Sequence, residues 1–254
     1  MSEYKIALVN EINKLRNNPQ NYSTILKEYM SCFHGNALVF PGSNAGIQTE
    51  EGPSAYKEAI DFLLQQKRRE LLEPSKGLCR ICEDYVAQCK DTDEMENIDM
   101  DKIINKYGTF RGSFSRAIDF GGETPENVVV FLTVCDGDKS RGQRNTILNP
   151  DAKLVGVATG KHKSFGYFNV IITCSKFTNK IDADDNGFLD AQSRAIKIDE
   201  SANYNDDEEE EEIIGTDQEE EIVVENGKKR KKIKIIKKYR DGRKRIETSY
   251  QDLQ

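Results

Sequence analysis

The segment Ser140–Gly160, SRGQRNTILNPDAKLVGVATG, gives the most specific indication of the fold. It begins with polar residues, passes through an Asn-Pro-Asp turn and ends in alternating apolar residues, a pattern typical of a strand. A second apolar run at Tyr167–Thr173 predicts a partner strand, with Gly160–Gly166 as the hairpin connection. The residues SRGQR either line an active site or hold a structural loop, and the rest of the chain has to distinguish these two hypotheses.

Helical periodicity predicts several helices before this segment. The first has Ser2 as its cap and Ile6, Val9, Ile12 and Leu15 on one face, and a second helical stretch follows Pro19. Cys32–Pro53 is rich in Gly, Asn and Pro and is predicted to be a long loop. Further helices are predicted at 54–72, from Lys76 onward and at 99–107, whereas NVVVFLTV at 127–134 is compatible with a strand or a buried helix. Helices first and strands late favour an α+β fold over a parallel βαβ series.

The charge of the chain is strongly segregated. The 254 residues are 37% hydrophobic and 32% charged, which indicates a globular part joined to a polar, solvated part. Residues 199–225 contain 14 acidic and no basic residues, and residues 228–245 contain 12 basic residues and one acidic residue. The net charge of −7 therefore describes neither segment.

The N-terminal residues and the cysteines indicate the cellular compartment in which the protein is expected. Lys5, Asn10, Glu11 and Asn13 interrupt the apolar run that a signal peptide needs, and no run approaches the roughly 20 apolar residues of a membrane span. Six cysteines in such a chain are expected to be reduced thiols, and the Cys79-x-x-Cys82 pair is interpreted as buried thiols in preference to a zinc site. We expect a cytoplasmic protein, not a secreted one, with nuclear import through Lys228–Lys232 as an alternative.

Several segments together resemble the CAP superfamily, also called SCP or PR-1-like domains. NEINKLRNNPQNYSTIL resembles its N-terminal helix with the Arg-x-x-Pro signature, and residues 54–88 resemble its paired helices. SRGQRNTILNPDAKLVGV resembles its SRGHR-x-x-I-x-x-P-x-x-x-x-V-G-V motif, which is the specific part of the match. The resemblance covers residues 1–178 and implies a three-layer α-β-α sandwich in which NVVVFLTV is helical.

The cleft of that family contains two histidines and two glutamates, which hold a divalent metal in some members. The resemblance places Gln143 and Tyr85 at the histidine positions, Arg116 at one glutamate position and Glu126 at the other. Glutamine does not titrate and ligates zinc poorly, and an arginine would repel a cation. These residues predict a degenerate, non-catalytic cleft in which SRGQR is structural. A hydrolase or ligand-binding protein that uses an altered cleft with Glu126 is the alternative.

The other candidate nucleophiles and bases do not indicate a catalytic site. His34 and His162 lie in predicted loops, where a lone histidine is more often solvated or hydrogen bonded than catalytic. Cys135 has no histidine close in sequence and is predicted to be a core thiol.

A calcium site is the only cofactor hypothesis that the residues support. IDADDNGFLDAQS places oxygen ligands at the alternating positions of an EF-hand loop, from Asp182, Asp184, Asn186, the carbonyl of Phe188, and Asp190. Ser193 stands where the bidentate glutamate belongs, so a linker made of Asx turns is favoured over a calcium site, and a weak calcium-responsive adaptor is a third functional hypothesis.

The sequence divides into four segments: the CAP-like domain at 1–178, the Asp/Asn-rich loop or linker at 179–198, the acidic segment at 199–225 and the basic tail at 226–254. Asn226-Gly227 and Asp241-Gly242 are preferred hairpin turns, so the charged tail is either partly disordered or a β-ribbon. The first turn predicts pairing of Glu221 with Lys232 and Glu219 with Lys234. The second predicts the repulsive pairs Arg240 with Arg243 and Lys238 with Arg245.

The basic residues of the tail are the candidate partner-binding site: Lys228, Lys229, Arg230, Lys231, Lys232, Lys234, Lys237, Lys238, Arg240, Arg243, Lys244 and Arg245. We expect an acidic protein surface as the partner, for example a cytoskeletal polymer or a large complex, ahead of nucleic acid or an anionic membrane. The leading hypothesis is a non-catalytic CAP-domain interaction module tethered partly by this tail.

Overall fold

A computed structural model describes residues 1–43, 45–92, 97–180, 213–225, 228–239 and 244–252. The chain divides into two compact units, Met1–Ile198 and Asp199–Gln254. In the described part of the chain, no helix has the length and apolar character that a membrane crossing requires.

The helices of the first unit precede its long hairpin. They are α1 (Glu3–Asn17), α2 (Pro19–Ser31), α3 (Pro53–Leu64), α4 (Lys76–Cys89), α5 (Met100–Tyr107), α6 (Pro125–Val134) and α7 (Gly142–Ile147). The strands are β1 (Phe33–His34), β2 (Ala37–Leu38), β3 (Ile47–Gln48), β4 (Glu73–Pro74), β5 (Gly108–Phe120), β6 (Leu154–His162) and β7 (Gly166–Asn179).

A four-stranded sheet in the order β4-β6-β7-β5 forms the middle layer. The neighbours of β7, β5 and β6, are antiparallel to it, and only the short β4 pairs in parallel. One apolar cluster joins α1, α2, α3 and α6 to one face, and a second joins α4 and α5 to the other. The α+β prediction of a three-layer sandwich is therefore confirmed, including a helical conformation for 127–134.

Local sequence explains where the outer helices begin and how closely one of them packs. Side-chain oxygens of Ser2, Ser75 and Asp99 accept backbone N–H bonds at the starts of α1, α4 and α5. Gly156 on β6 faces the backbone of Leu78, where any Cβ would clash. The glycine therefore allows α4 to lie directly on the sheet.

The predicted helix at 54–72 is wrong at its end, because α3 stops at Leu64. The chain beyond it extends along α1, where the Arg69 amide donates to the Arg16 carbonyl at 2.8 Å. Further on, the Leu72 amide donates to Asn13 Oδ1 at 2.8 Å, and Asn13 Nδ2 donates back to the Leu72 carbonyl at 3.0 Å. The buried amide of Asn13 replaces the hydrogen bonds that a longer helix would have made.

The strands also differ from prediction. The sequence analysis did not predict β5, whose sequence GTFRGSFSRAIDF lacks a clean apolar alternation; a β-bulge lies between Arg111 and Phe114, beside a left-handed Gly112. Strands β6 and β7 extend the predicted hairpin, so that only residues 163–165 connect them. The predicted loop at 32–53 contains the small antiparallel sheet β1-β2-β3. SRGQR is not wholly a loop, since α7 begins at its glycine.

The second unit is an antiparallel sheet in the order β10-β9-β8, formed by β8 (Ile213–Glu225), β9 (Lys228–Tyr239) and β10 (Lys244–Asp252). Its first hairpin has the predicted register, with Glu219 opposite Lys234 and Glu221 opposite Lys232.

The predicted register of the second hairpin is wrong by one residue. Lys238 lies opposite Lys244, not Arg245, and Lys237 lies opposite Arg245. Because side chains alternate along a strand, a shift of one residue changes which residues of β9 and β10 share a face. Arg240 and Arg243 lie outside the described residues.

Arg16 in α1 is fully buried and holds four backbone carbonyls. Its Nε donates to Glu70 at 2.8 Å, Nη1 donates to Ile147 and Asn149 at 2.8 and 3.0 Å, and Nη2 donates to Ala152 at 3.4 Å. Burial lowers the pKa of Arg16 to about 10, with the nearby Arg69 contributing, so the group is still charged at neutral pH.

Replacing Arg16 with Ala should lower the free energy of unfolding by about 3–5 kcal/mol, because several buried carbonyls lose their donors at once. Chemical denaturation followed by helix ellipticity measures this, since the described helices all belong to the first unit. Lys14→Ala on the same helix should cost less than about 1 kcal/mol, because its ion pair with Glu11 is exposed. Similar losses for both variants would contradict a special role for Arg16.

Candidate functional site

The two arginines of SRGQR make structural ion pairs with the first turns of α3 and the loop before it. Arg144 is buried and forms a two-pronged pair with Glu58, at 2.8 and 2.6 Å, while its Nε donates to the Thr133 carbonyl. Arg141 forms a similar pair with Glu51, at 2.6 and 2.9 Å. Hydrogen bonds from Arg144 and Arg141 hold the pKa values of Glu58 and Glu51, respectively, below their ordinary value.

Asp138 holds the backbone that leads into α7. Its carboxylate accepts from the hydroxyl and amide of Ser140 at 2.6 and 2.8 Å, and from the Gly142 amide at 3.1 Å. These hydrogen bonds, the one from the Ser140 hydroxyl first, lower the pKa of Asp138 to about 2. The adjacent Arg141 has a left-handed backbone with φ of 53°. Asp138 therefore compensates for an unfavourable local conformation.

Gln143, at the histidine position of the family motif, bonds the edge of the sheet. Its Oε1 accepts the Ile118 amide of β5 at 2.8 Å. Because β5 is an edge strand, this amide has no strand partner in the described sheet. Gln143 thereby supplies an acceptor for this edge amide and blocks the addition of another strand at that point.

Tyr85 and Arg116 contact each other. Tyr85 is buried on α4, and the guanidinium carbon of Arg116 lies 4.3 Å from the centre of its ring. Alternation along β5 places Arg116 on the α4 side of the sheet, whereas Ala117 belongs to the opposite apolar cluster. The pair is a cation–π contact inside the sandwich.

Glu126, in the first turn of α6, is engaged by Tyr29. The Tyr29 hydroxyl donates to Glu126 Oε1 at 3.2 Å and accepts from Asn127 Nδ2 at 2.7 Å. Burial and the Glu126 charge raise the pKa of Tyr29 above its ordinary value. The four family cleft positions are thus brought together only in part. Tyr85 contacts Arg116, Gln143 bonds β5 at Ile118, two residues beyond Arg116, and Glu126 contacts Tyr29 of α2.

A cleft of about 590 Å³ lies along the edge of β5, between β2–β3 and the end of α6. Its lining is mainly apolar and includes Leu38, Ile47, Ile118, Phe120, Phe131 and Val134. Of the four family positions, only Gln143 lines it. The lining also contains three aspartates, at positions 119, 136 and 138, and no histidine among the described residues.

Asp119 is a functional candidate that the sequence analysis missed. It is nearly buried, and its Oδ2 accepts from the Gly122 amide at 3.1 Å and from Asn169 Nδ2 at 3.0 Å. Burial raises its pKa from 3.8 to about 6, so the carboxyl titrates close to neutrality. No sequence motif indicates Asp119, because the burial of its side chain depends on α1 and on the Gly121–Gly122 turn.

Asp136 is committed to the fold as well. Its two oxygens accept the amides of Glu50 and Glu51 at 2.6 and 2.9 Å. It anchors the loop that precedes α3 at the end of α6.

The remaining candidates are placed as follows. His34 is exposed, whereas His162 is buried, with Nε2 bonded to the Thr92 carbonyl at 3.0 Å and Nδ1 accepting the Ser164 amide at 3.1 Å. All six cysteines are free thiols, and five of them are buried. The calcium-loop residues Asp182, Asp184, Asn186, Phe188 and Asp190 lie outside the described residues. No cluster of metal-ligating side chains occurs in the described ranges.

Comparison with known proteins agrees with the sandwich fold. The model of the CAP family, described as the cysteine-rich secretory protein family, matches residues 9–175. The chain belongs to this family. No curated protein and no solved structure gave a significant match.

The buried carboxyl of Asp119 predicts a pH-dependent difference between the wild type and Asp119→Asn. Because its folded pKa of about 6 lies above the ordinary 3.8, its stabilising contribution is present at low pH and is lost as the pH rises through about 6. The stability of Asp119→Asn relative to wild type should therefore increase between pH 4 and 7, by up to about 3 kcal/mol. Denaturation midpoints across this range measure the difference, and a constant difference would contradict the desolvated carboxyl.

Proposed function

We propose that this CAP-family chain is a non-catalytic interaction module of a larger cytoplasmic assembly, in which the globular unit presents a binding surface and the basic tail binds an acidic protein surface. The observation that carries this proposal is the use of the family's cleft positions for internal contacts. Gln143 is bonded to the β5 edge, and Arg116 covers the ring of Tyr85.

Hydrolysis or proton transfer needs a titratable group that can reach a substrate atom, or a metal that activates water. In the cleft, Asp136 and Asp138 accept several internal hydrogen bonds each, and Asp119 is held by Gly122 and Asn169. Arg116, which the family resemblance places at a glutamate position, would oppose a bound cation. These contacts support a cleft without hydrolytic chemistry.

The charge of the tail supports the tether. Residues 228–245 carry 12 basic residues and one acidic residue, and they fall on β9, its connection to β10, and the start of β10. Such a concentration of charge accelerates encounter with an acidic surface and makes the complex sensitive to salt.

The test compares the full chain with a truncation after Ile198, the boundary between the two compact units. In pull-downs with partners identified by mass spectrometry, the full chain should retain one defined acidic partner at low salt and lose it progressively at higher salt. The truncation should not retain it. Equal retention by both would move the interface to the globular unit and contradict the tether.

The matched test of the cleft is the double variant Tyr85→His with Gln143→His in the full chain. On this proposal, partner retention is unchanged, and neither wild type nor variant differs from a buffer blank in esterase or protease assays. Wild-type hydrolysis that is abolished by Glu126→Ala would instead support a hydrolase with an altered cleft.

A ligand-binding cleft is the second candidate function, favoured by the apolar lining of the 590 Å³ cavity. Ile47 lines it and is 45% exposed, and Leu64 on α3 is 46% exposed without lining it. An uncharged naphthalene dye should bind the wild type with increased fluorescence. Ile47→Lys should weaken this binding about tenfold, because it places a charge at the apolar rim, whereas Leu64→Lys should leave it unchanged. Equal effects would indicate general surface adsorption.

A further inference from the structure

The register of the second unit distinguishes two groups of cations on β9 and β10, while Lys229 and Lys231 lie opposite the uncharged Val224 and Ile222 and belong to neither group. One group lies directly opposite acidic residues of the neighbouring strands. Its register pairs are Lys228 with Glu225, Lys232 with Glu221, Lys234 with Glu219, and Arg230 with Asp252. We call these four cations the paired quartet. Opposite charges at directly opposed positions stabilise an antiparallel pair of strands.

The other group lies at the β9–β10 end of the sheet and consists of Lys237, Lys238, Lys244 and Arg245. We call it the surplus quartet. Lys238 lies opposite Lys244, and Lys237 lies opposite Arg245. On the other side of β9, the register partners of Lys238 and Lys237 are the uncharged Gly215 and Thr216. Like charges at opposed positions destabilise the pairing, so this end of the sheet favours an added anion.

The position of β10 shows where an anionic segment can enter. β10 is an outer strand of the three-stranded sheet, so one of its edges has no strand partner among the described residues. A strand added there would lie beside Lys244 and Arg245, with Lys237 and Lys238 one strand further in. The sheet already contains the same chemistry, because the acidic β8 runs antiparallel to the basic β9 along almost its whole length.

We propose that the surplus quartet and the free edge of β10 form a docking site for an acidic peptide segment in extended conformation. Backbone hydrogen bonds to β10 would supply the pairing, and a carboxylate opposite Lys244 or Arg245 would relieve the repulsion with the opposed lysine of β9. This inference rests on the proposed tether and names its site and the conformation of its partner. A peptide is favoured over a nucleic acid because a strand edge recognises a backbone, and Tyr239 is the only aromatic residue adjoining the quartet on β9.

The experiment measures binding of the full chain to a labelled peptide of alternating Glu and Thr by fluorescence anisotropy at physiological salt. Two variants carry the same change in charge: K237Q/K238Q/K244Q/R245Q removes the surplus quartet, and K228Q/R230Q/K232Q/K234Q removes the paired quartet. We expect about a tenfold loss of affinity for the first and less than about a threefold loss for the second. Substitution of the three surplus lysines by arginine keeps the charge and should preserve binding even if the glutamine variant were to lose its sheet.

Several results would overturn the proposal. Equal weakening by the two glutamine variants would mean that only total charge matters. Equal affinity for an alternating Glu-Pro peptide, which cannot donate the backbone bonds, would exclude strand addition. Equal or tighter binding of a single-stranded DNA of the same charge would exclude a peptide-specific site. If the wild type binds none of these probes and the pull-down also fails, the tether itself is wrong; a partner retained in the pull-down with no preference for the surplus quartet removes only this site.

Discussion

The buried guanidinium of Arg16 is the interaction on which the arrangement of the globular unit depends. It joins α1 to the extended chain after α3 through Glu70, and to the turn between α7 and β6 through Ile147, Asn149 and Ala152. No described acidic side chain pairs with it. The four carbonyls therefore replace water around the charge, and the buried carbonyls of Ile147 and Ala152 would otherwise lose these donors.

A second set of arginine contacts holds the beginning of α7, the helix that precedes this turn. Arg141 and Arg144 attach α7 to Glu51 and Glu58 around the start of α3, and Arg144 also covers the ring of Phe62. With Arg16 at one end of α7 and this pair at the other, Gln143 is held against β5. The two arginines of the motif thus hold α7 in place in this chain, while Gln143 at its centre bonds a strand edge. The structural role of the motif can persist without its chemical role, because Arg141 and Arg144 make the structural contacts whereas Gln143 occupies the position of the family histidine.

The second unit is characterised by the charges that its strand register places opposite one another. β9 contains eight basic residues and three isoleucines, and three of its lysines lie directly opposite glutamates of β8. Pairing of the acidic and basic segments neutralises one end of the ribbon and leaves cations opposed at the other. A net charge calculated for the whole tail would hide this division, because it depends on register.

The sequence by itself determined the family, the sandwich of helices and sheet, and the Ser2 cap that starts α1, because these depend on local periodicity and on a specific motif. The preference of Asn-Gly for two-residue hairpin turns also predicted the register of the first hairpin. Only the tertiary structure decided where α3 ends, that β5 exists and that Asp119 is buried, because each depends on a partner distant in the chain: Asn13 for the segment after α3, β7 for the edge strand, and Asn169 for the carboxyl. The contact between Arg116 and Tyr85 belongs to the same class, because residues 31 positions apart meet only when a helix lies across a strand.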